Sequence, residues 1–142
     1  MASGSCTDLS ELPSTLRAIV DDARRAALAT VDEHGHSHVV PVCFAIVGEE
    51  IVSAIDDKPK SDRELARVAN VRARPRATLL FDRWNEDWTR LGWVMVAGAA
   101  RMSPSGTGVE ALEARYPQYQ ESPPRGDVIV VRPELIRWWS WD

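Results

Sequence analysis

The chain has 142 residues, 44% of them hydrophobic, with a net charge of −4 and two cysteines. That size and balance fit one domain able to bury a core without disulfide staples. They argue against nonspecific nucleic-acid binding, and no apolar run is long enough to span a membrane. The opening MASGSCTDLSEL has no basic region followed by an apolar one, so no signal peptide is read. Cys6 lies in a polar tail and Cys43 in an apolar run, which fits a reducing, cytoplasmic setting.

Residues 1–7 read as disordered. Asp8 or Ser10 is placed to cap a first helix, in which Leu16, Ile19, Val20 and Ala23 recur at helical spacing. A strand follows over Ala27–Asp32, then a glycine-containing hairpin turn over Glu33–His36. Ser37–Val47 reads as one long strand, residues 48–50 as a turn, and Ile51–Asp56 as a third strand, giving an antiparallel meander. Asp57–Lys60 is a loop. Ser61 with Glu64 forms a capping box for a helix whose stripe is Leu65, Val68 and Ala69. Pro75 ends that segment. Strands are expected over Ala77–Asp82, Gly92–Met102 and Val128–Arg132, with a last short one over Ile136–Asp142. Thr107 and Glu110 box a helix running to Arg115, and Gln120–Gly126 reads as loop. Short strands with few helices indicate a mainly β barrel or sandwich of about six to seven strands, mostly antiparallel, with flanking helices.

One composition detail singles out a segment. Of the 17 basic residues only Lys58 and Lys60 are lysine, and both fall in one tripeptide before the helix expected at Ser61. A helix start presents free backbone N–H groups and partial positive charge. With Arg63 in the first turn and Pro59 stiffening the loop, these parts make a phosphate cradle. The same residues also read as a solvated basic loop balanced by Asp56, Asp57 and Asp62. Pro41 interrupts the second strand. It marks either a plain edge strand or an irregular point that leaves backbone polar groups near Val42 and Cys43 free for a ligand.

At these residues the chain resembles a known family. The run Arg25–Asp32, then Gly35, His38 and Val40–Phe44, is similar to the pyridoxamine 5′-phosphate oxidase-like split β-barrels. Asp57–Lys60, Arg72–Asp82, Asp87–Gly92 and Tyr116–Tyr119 resemble the actinobacterial branch classed as coenzyme F420-dependent. The resemblance runs from about Leu16 to the C-terminus and implies an FMN-binding split-barrel fold and a homodimer with cofactor sites at the subunit interface. It implies that a flavin or deazaflavin ring packs on Val40, Pro41, Val42 and Cys43, and that the phosphate end meets Ile55, Asp56 and Ser61. It assigns the phosphate to Lys58 and Lys60. Leu80, within Leu79–Phe81, would flank the site, and Trp88 of the other subunit would close over it. Arg63 or Arg83 would meet the acidic tail of F420. The implied activity is hydride transfer between F420 and a small organic substrate, with FMN as the alternative cofactor. The oxidase's own substrate motifs are not present, so pyridoxamine phosphate oxidation is not implied.

Other features carry competing readings. His34, His36 and His38 alternate, but the first two fall in the expected turn and no cysteine or carboxylate set completes a tetrahedral site, so no metal is expected. The proton would come from solvent or from a residue such as His38, and the histidines are the only good axial-ligand candidates for a haem-binding alternative. Six tryptophans are read mainly as packing or dimer contacts, with Trp88 as a candidate lid. Ser105–Gly108 lacks the ending of a P-loop, and neither a GxGxxG nor a GxSxG motif occurs. Besides an enzyme, a non-catalytic carrier of flavin, F420 or haem fits the same sequence.

Overall fold

The computed structural model describes residues 1–55 and 64–141. In chain order these form β1 (Ala2–Cys6), α1 (Ser14–Asp22), β2 (Ala26–Val31), β3 (Ser37–Val42), β4 (Ala45–Val47) and β5 (Glu50–Ser53). Then come α2 (Ala66–Ala73), β6 (Arg76–Arg83), β7 (Gly92–Ser103), α3 (Val109–Arg115), α4 (Pro117–Glu121) and β8 (Val128–Ser140). Short 3-10 turns sit at Leu9–Glu11 and Trp88–Arg90.

The strands join in the order β3-β2-β6-β7-β8-β5-β4, with β1 added to β8, and every pairing is antiparallel. The alternation of apolar and small residues along each strand explains the arrangement. Leu28 on β2, Leu79 and Phe81 on β6, Val94 and Val96 on β7, and Ile136 on β8 turn to one side and are almost wholly buried. Leu16, Ile19 and Val20 of α1 complete this core. A second cluster, with Leu112, Tyr116 and Tyr119 over Val52, Val128 and Val130, seats α3 and α4 on the sheet's β4–β5–β8 side.

Several expectations are corrected. Residues 2–6 are not disordered: they pair with Ile136–Ser140, because the C-terminal half of β8 otherwise has an open edge there. Asp8 caps only the 3-10 turn, through Ser10 N–H, and α1 begins after Pro13. The long second strand divides, with Cys43 and Phe44 between β3 and β4. The helix expected from Ser61 is described only from Ala66. Leu65 is extended and carries no side-chain cap, and the buried residues are Val68, Asn70 and Val71 rather than the stripe with Ala69. Ser61 itself lies outside the described residues. Thr107 makes no box. Its hydroxyl donates to Pro104 O, and α3 starts from left-handed Gly108. The segment read as loop begins inside a helix, since α4 runs to Glu121. The two expected C-terminal strands are one strand, β8, which passes Pro133 at a register shift opposite Ala97/Gly98. The described strands thus number eight. Among the described residues no helix is long and apolar enough to cross a membrane.

Candidate functional site

The site starts from a strand edge. Among the described residues β3 ends the strand order and is paired on one side only, to β2, with Pro41 opposite Ala27 and Val39 opposite Ala29. A proline is tolerated there because its missing N–H interrupts no central ladder. His38, Val40 and Val42 share the core-facing side, and Val39 and Pro41 the exposed one. Past Val42 the chain leaves the strand, and Phe44 N–H donates to the Tyr116 hydroxyl at 3.1 Å. That hydroxyl donates in turn to Arg24 O at 3.1 Å, tying the end of β3 to the start of β2.

Two clefts follow one another along this edge, and a third adjoins them. One of about 310 Å³ is lined by Ala27, Val39, Val40, Pro41 and Asp82 together with Arg25. A smaller one of about 150 Å³ continues past Pro41, Val42 and Cys43 to Ala54, Arg67 and Arg25. A third, about 490 Å³, opens on the other side toward Ile19, Arg83 and Trp84, again sharing Arg25 and Asp82. Arg25 therefore stands at the junction of all three, and it makes no hydrogen bond or ion pair with the described residues. Arg67, on the first turn of α2, has a buried Nε with no hydrogen-bond partner. A guanidinium donor withheld from water and unpaired is costly unless a ligand meets it. The groove from Pro41 to Arg67 thus offers apolar walls, a strand edge unpaired among the described residues and, at Arg67, an unpartnered guanidinium donor. That donor set fits a planar ring system carrying an anionic arm.

The expected residues fall as follows. Val40, Pro41, Val42 and Cys43 line the groove. Ile55 packs against the core, and Ala54 just before it lines the groove. Asp56, Lys58, Lys60, Ser61 and Arg63 lie outside the described residues. Leu80 stands on the exposed side of β6, beside Ala27, and is 38% exposed. Trp88 is exposed on its 3-10 turn, with its ring 6.4 Å from that of Trp84. His38 lines none of the three clefts. It lies opposite buried Thr30, which accepts from Asn70 Nδ2 at 3.0 Å, and His38 Nδ1 is buried without a partner. His34 and His36 sit in the β2–β3 turn beside Glu33 and Asp32. Among the described residues no group of three His, Cys, Asp or Glu side chains is placed to hold a metal. Sequence reasoning passed over Arg67, and it used Arg25 only as part of a family motif. Nothing in an arginine-rich chain marks either of them before folding brings them to one groove.

An antiparallel split barrel with a groove along an edge strand defines the class of protein. The sequence pattern of the pyridoxamine 5′-phosphate oxidase family matches residues 12–140, and the chain belongs to that family. Membership supports a flavin-related role, as oxidoreductase or as binding protein. No curated protein matches the chain. Among solved structures, it is similar to a candidate 5-nitroimidazole antibiotic resistance protein from Bacteroides thetaiotaomicron (12% identity, TM-score 0.69, covering 97% of this chain and 89% of that one). It is also similar to a FAD-binding protein from Mesorhizobium loti (16%, TM-score 0.66, 97% of both chains). A third likeness is to a heme binding protein from Mycobacterium smegmatis (20%, TM-score 0.69, 90% of this chain), of which this chain spans about half, 55%. At these identities the likeness is one of fold.

Proposed function

We propose that the chain is an F420-dependent oxidoreductase whose cofactor lies in the groove beside β3. When bound, F420 supplies hydride transfer to or from a small organic substrate; FMN is the alternative on the same site. The observation that carries this reading is the unpaired Arg67 Nε at one end of a groove walled by Pro41, Val42 and Cys43. Arg67 would hold an anionic arm, and the strand edge would orient the ring. In sequence, Ala54 at that end leads into the segment of Lys58 and Lys60, which would share the phosphate. The deazaflavin choice rests on the resemblance of Arg72–Asp82 and Tyr116–Tyr119 to the F420-dependent branch. A flavin-type ligand is preferred to haem because no histidine lines the groove.

The working unit of this reading is a homodimer. It is supported by an outward sheet row of Val39, Ala29, Thr78, Ala97 and Leu135, aligned across β3, β2, β6, β7 and β8, exposed at its two ends and half-buried between them. Val39 is 61% exposed and Leu135 38%. A second copy on that face would cover these residues and stand over the groove.

Calorimetric titration of the purified protein with F420, FMN, FAD and haem tests the reading. F420 is expected to bind most tightly, with FMN next. Absence of affinity for both F420 and FMN overturns it, and tight F420 binding without turnover of any acceptor points to a carrier instead.

A further inference from the structure

The 490 Å³ cleft on the far side of Arg25 is separate from the groove assigned to the cofactor, yet shares Arg25 and Asp82 with it. We propose that this cleft receives an aromatic monocarboxylate, with Arg25 binding the carboxylate and Trp84 covering the ring. The placement beside the reacting end of a cofactor rests on the proposed function; the recognition chemistry does not.

Three observations carry the assignment. Arg25 has no partner among the described residues, while the other two arginines of the cleft are engaged. Arg24 donates to Arg115 O and lies over the Tyr116 ring, with Cζ 4.8 Å from its centroid; Arg83 Nε donates to Arg90 O at 2.8 Å. Arg25 is thus the guanidinium left to form the forked pair that a carboxylate accepts.

Trp84, 65% exposed, lines the same cleft. Its indole is fixed by donation from Nε1 to Glu86 Oε1 at 3.2 Å and by an edge contact with Trp88. An exposed indole held in place offers a face for an aromatic ring.

The cleft also carries Asp22 and Asp82. Three arginines against two aspartates leave one net positive charge. A single carboxylate is matched by that balance, whereas the further carboxylates of a polyanion meet no remaining net positive charge and lie beside the two aspartates. This favours an aromatic acid over an oligoglutamate tail, although both present carboxylates.

Calorimetry on the full chain without cofactor decides the matter, using 2-naphthoate, the neutral 2-naphthalenemethanol and triglutamate as probes. The wild type is expected to bind naphthoate at least about tenfold more tightly than the alcohol, and more tightly than triglutamate. Arg25→Gln should abolish the preference for the acid while leaving alcohol binding and the melting temperature unchanged. Arg25→Lys should retain part of the preference, because it keeps the charge without the fork. Trp84→Ala should weaken the acid and the alcohol alike. Equal binding of acid and alcohol overturns the proposal. So does tighter binding of triglutamate, or a preference that survives Arg25→Gln. FMN and F420 titrations of the same samples separate the two readings. Cofactor binding without acid preference sinks the aromatic-acid cleft alone, and acid preference without cofactor binding sinks the proposed function alone.

Discussion

The Tyr116 hydroxyl sits between two strand ends: it accepts from Phe44 N–H and donates to Arg24 O, each at 3.1 Å. Phe44 follows Cys43, the groove residue just past β3, and Arg24 precedes Arg25, so one side chain from the α3–α4 junction ties the two sides of the groove together. Phe44 is fully buried, and without the hydroxyl its N–H loses the partner described for it. Tyr116→Phe keeps the ring and removes the clamp. It is expected to lower stability by roughly 1–3 kcal/mol, the cost of an unsatisfied buried donor, and to weaken any ligand of the groove. Chemical denaturation checks the first effect. A stability unchanged within error would show that the clamp is idle.

Gly98 marks the place where β8 is allowed to remain one strand. A Cβ built there would lie 1.9 Å from the backbone oxygen of Arg132. Glycine lets the two backbones close up where Pro133 passes the register shift, and the obstacle is main chain, which cannot rotate aside. Gly98→Ala should therefore cost about 3 kcal/mol or more, beyond the usual range for overpacking by a methyl group. Soluble, cooperatively melting Gly98→Ala protein with an unchanged midpoint would contradict this.

The hairpins β2–β3 and β4–β5 were legible because their signals are local, although they stand at opposite ends of the strand order and not in one three-strand meander. Ala27–Asp32 alternates, Gly35 supplies the positive φ of 84° that the hairpin turn needs, and Gly48 does the same at 61° before β5. What was not legible depends on partners far away in the chain. The tail ASGSC has no strand pattern and is ordered by the edge of β8. Pro133 reads as a breaker in sequence, and only its position opposite Gly98 shows why the strand survives it. Ser/Thr and acidic residues at box spacing misled at Thr107, because left-handed Gly108 starts the helix instead. In the candidate site the β3 residues were readable from Pro41 and its neighbours. Arg25 and Arg67 were not, since they meet only across the fold.

The β2–β3 turn carries a pH-sensitive contact. The backbone N–H of His36 donates to Asp32 Oδ1 at 2.9 Å and, against an opposing desolvation cost, holds its carboxyl below the ordinary 3.8; the His34 N–H, also at 2.9 Å, adds to this. A carboxyl whose folded value is depressed stabilises the fold above its unfolded pKa, and that contribution is lost as pH falls through the folded value. The contact should thus be complete at neutral pH and disappear in acid below about 3.8. Asp32→Asn should melt below the wild type at pH 7, and the gap should narrow in strong acid, as pH falls through the carboxyl's depressed folded value. A gap of equal size at both pH values would exclude the carboxylate as its source.

Arg67 and the lysine pair make separable contributions under the proposed function. Arg67→Met keeps much of the side chain's apolar stem and removes the unpaired guanidinium. It should weaken FMN or F420 binding by roughly 1.5–3 kcal/mol, the worth of a hydrogen bond to a charged group. The same change removes an unsatisfied buried donor, so the melting temperature should hold or rise. A purely structural arginine would do the opposite, losing stability while leaving cofactor affinity intact. Replacing Lys58 and Lys60 together with alanine should cost about 2–4 kcal/mol of the same affinity, from lost charge-assisted bonds. Riboflavin, which lacks the phosphate, sorts the two anchors. If the lysines hold the phosphate, their loss leaves riboflavin affinity unchanged while FMN affinity falls. If FMN and riboflavin weaken in parallel, the lysines act on the ring or the fold and the phosphate anchor fails.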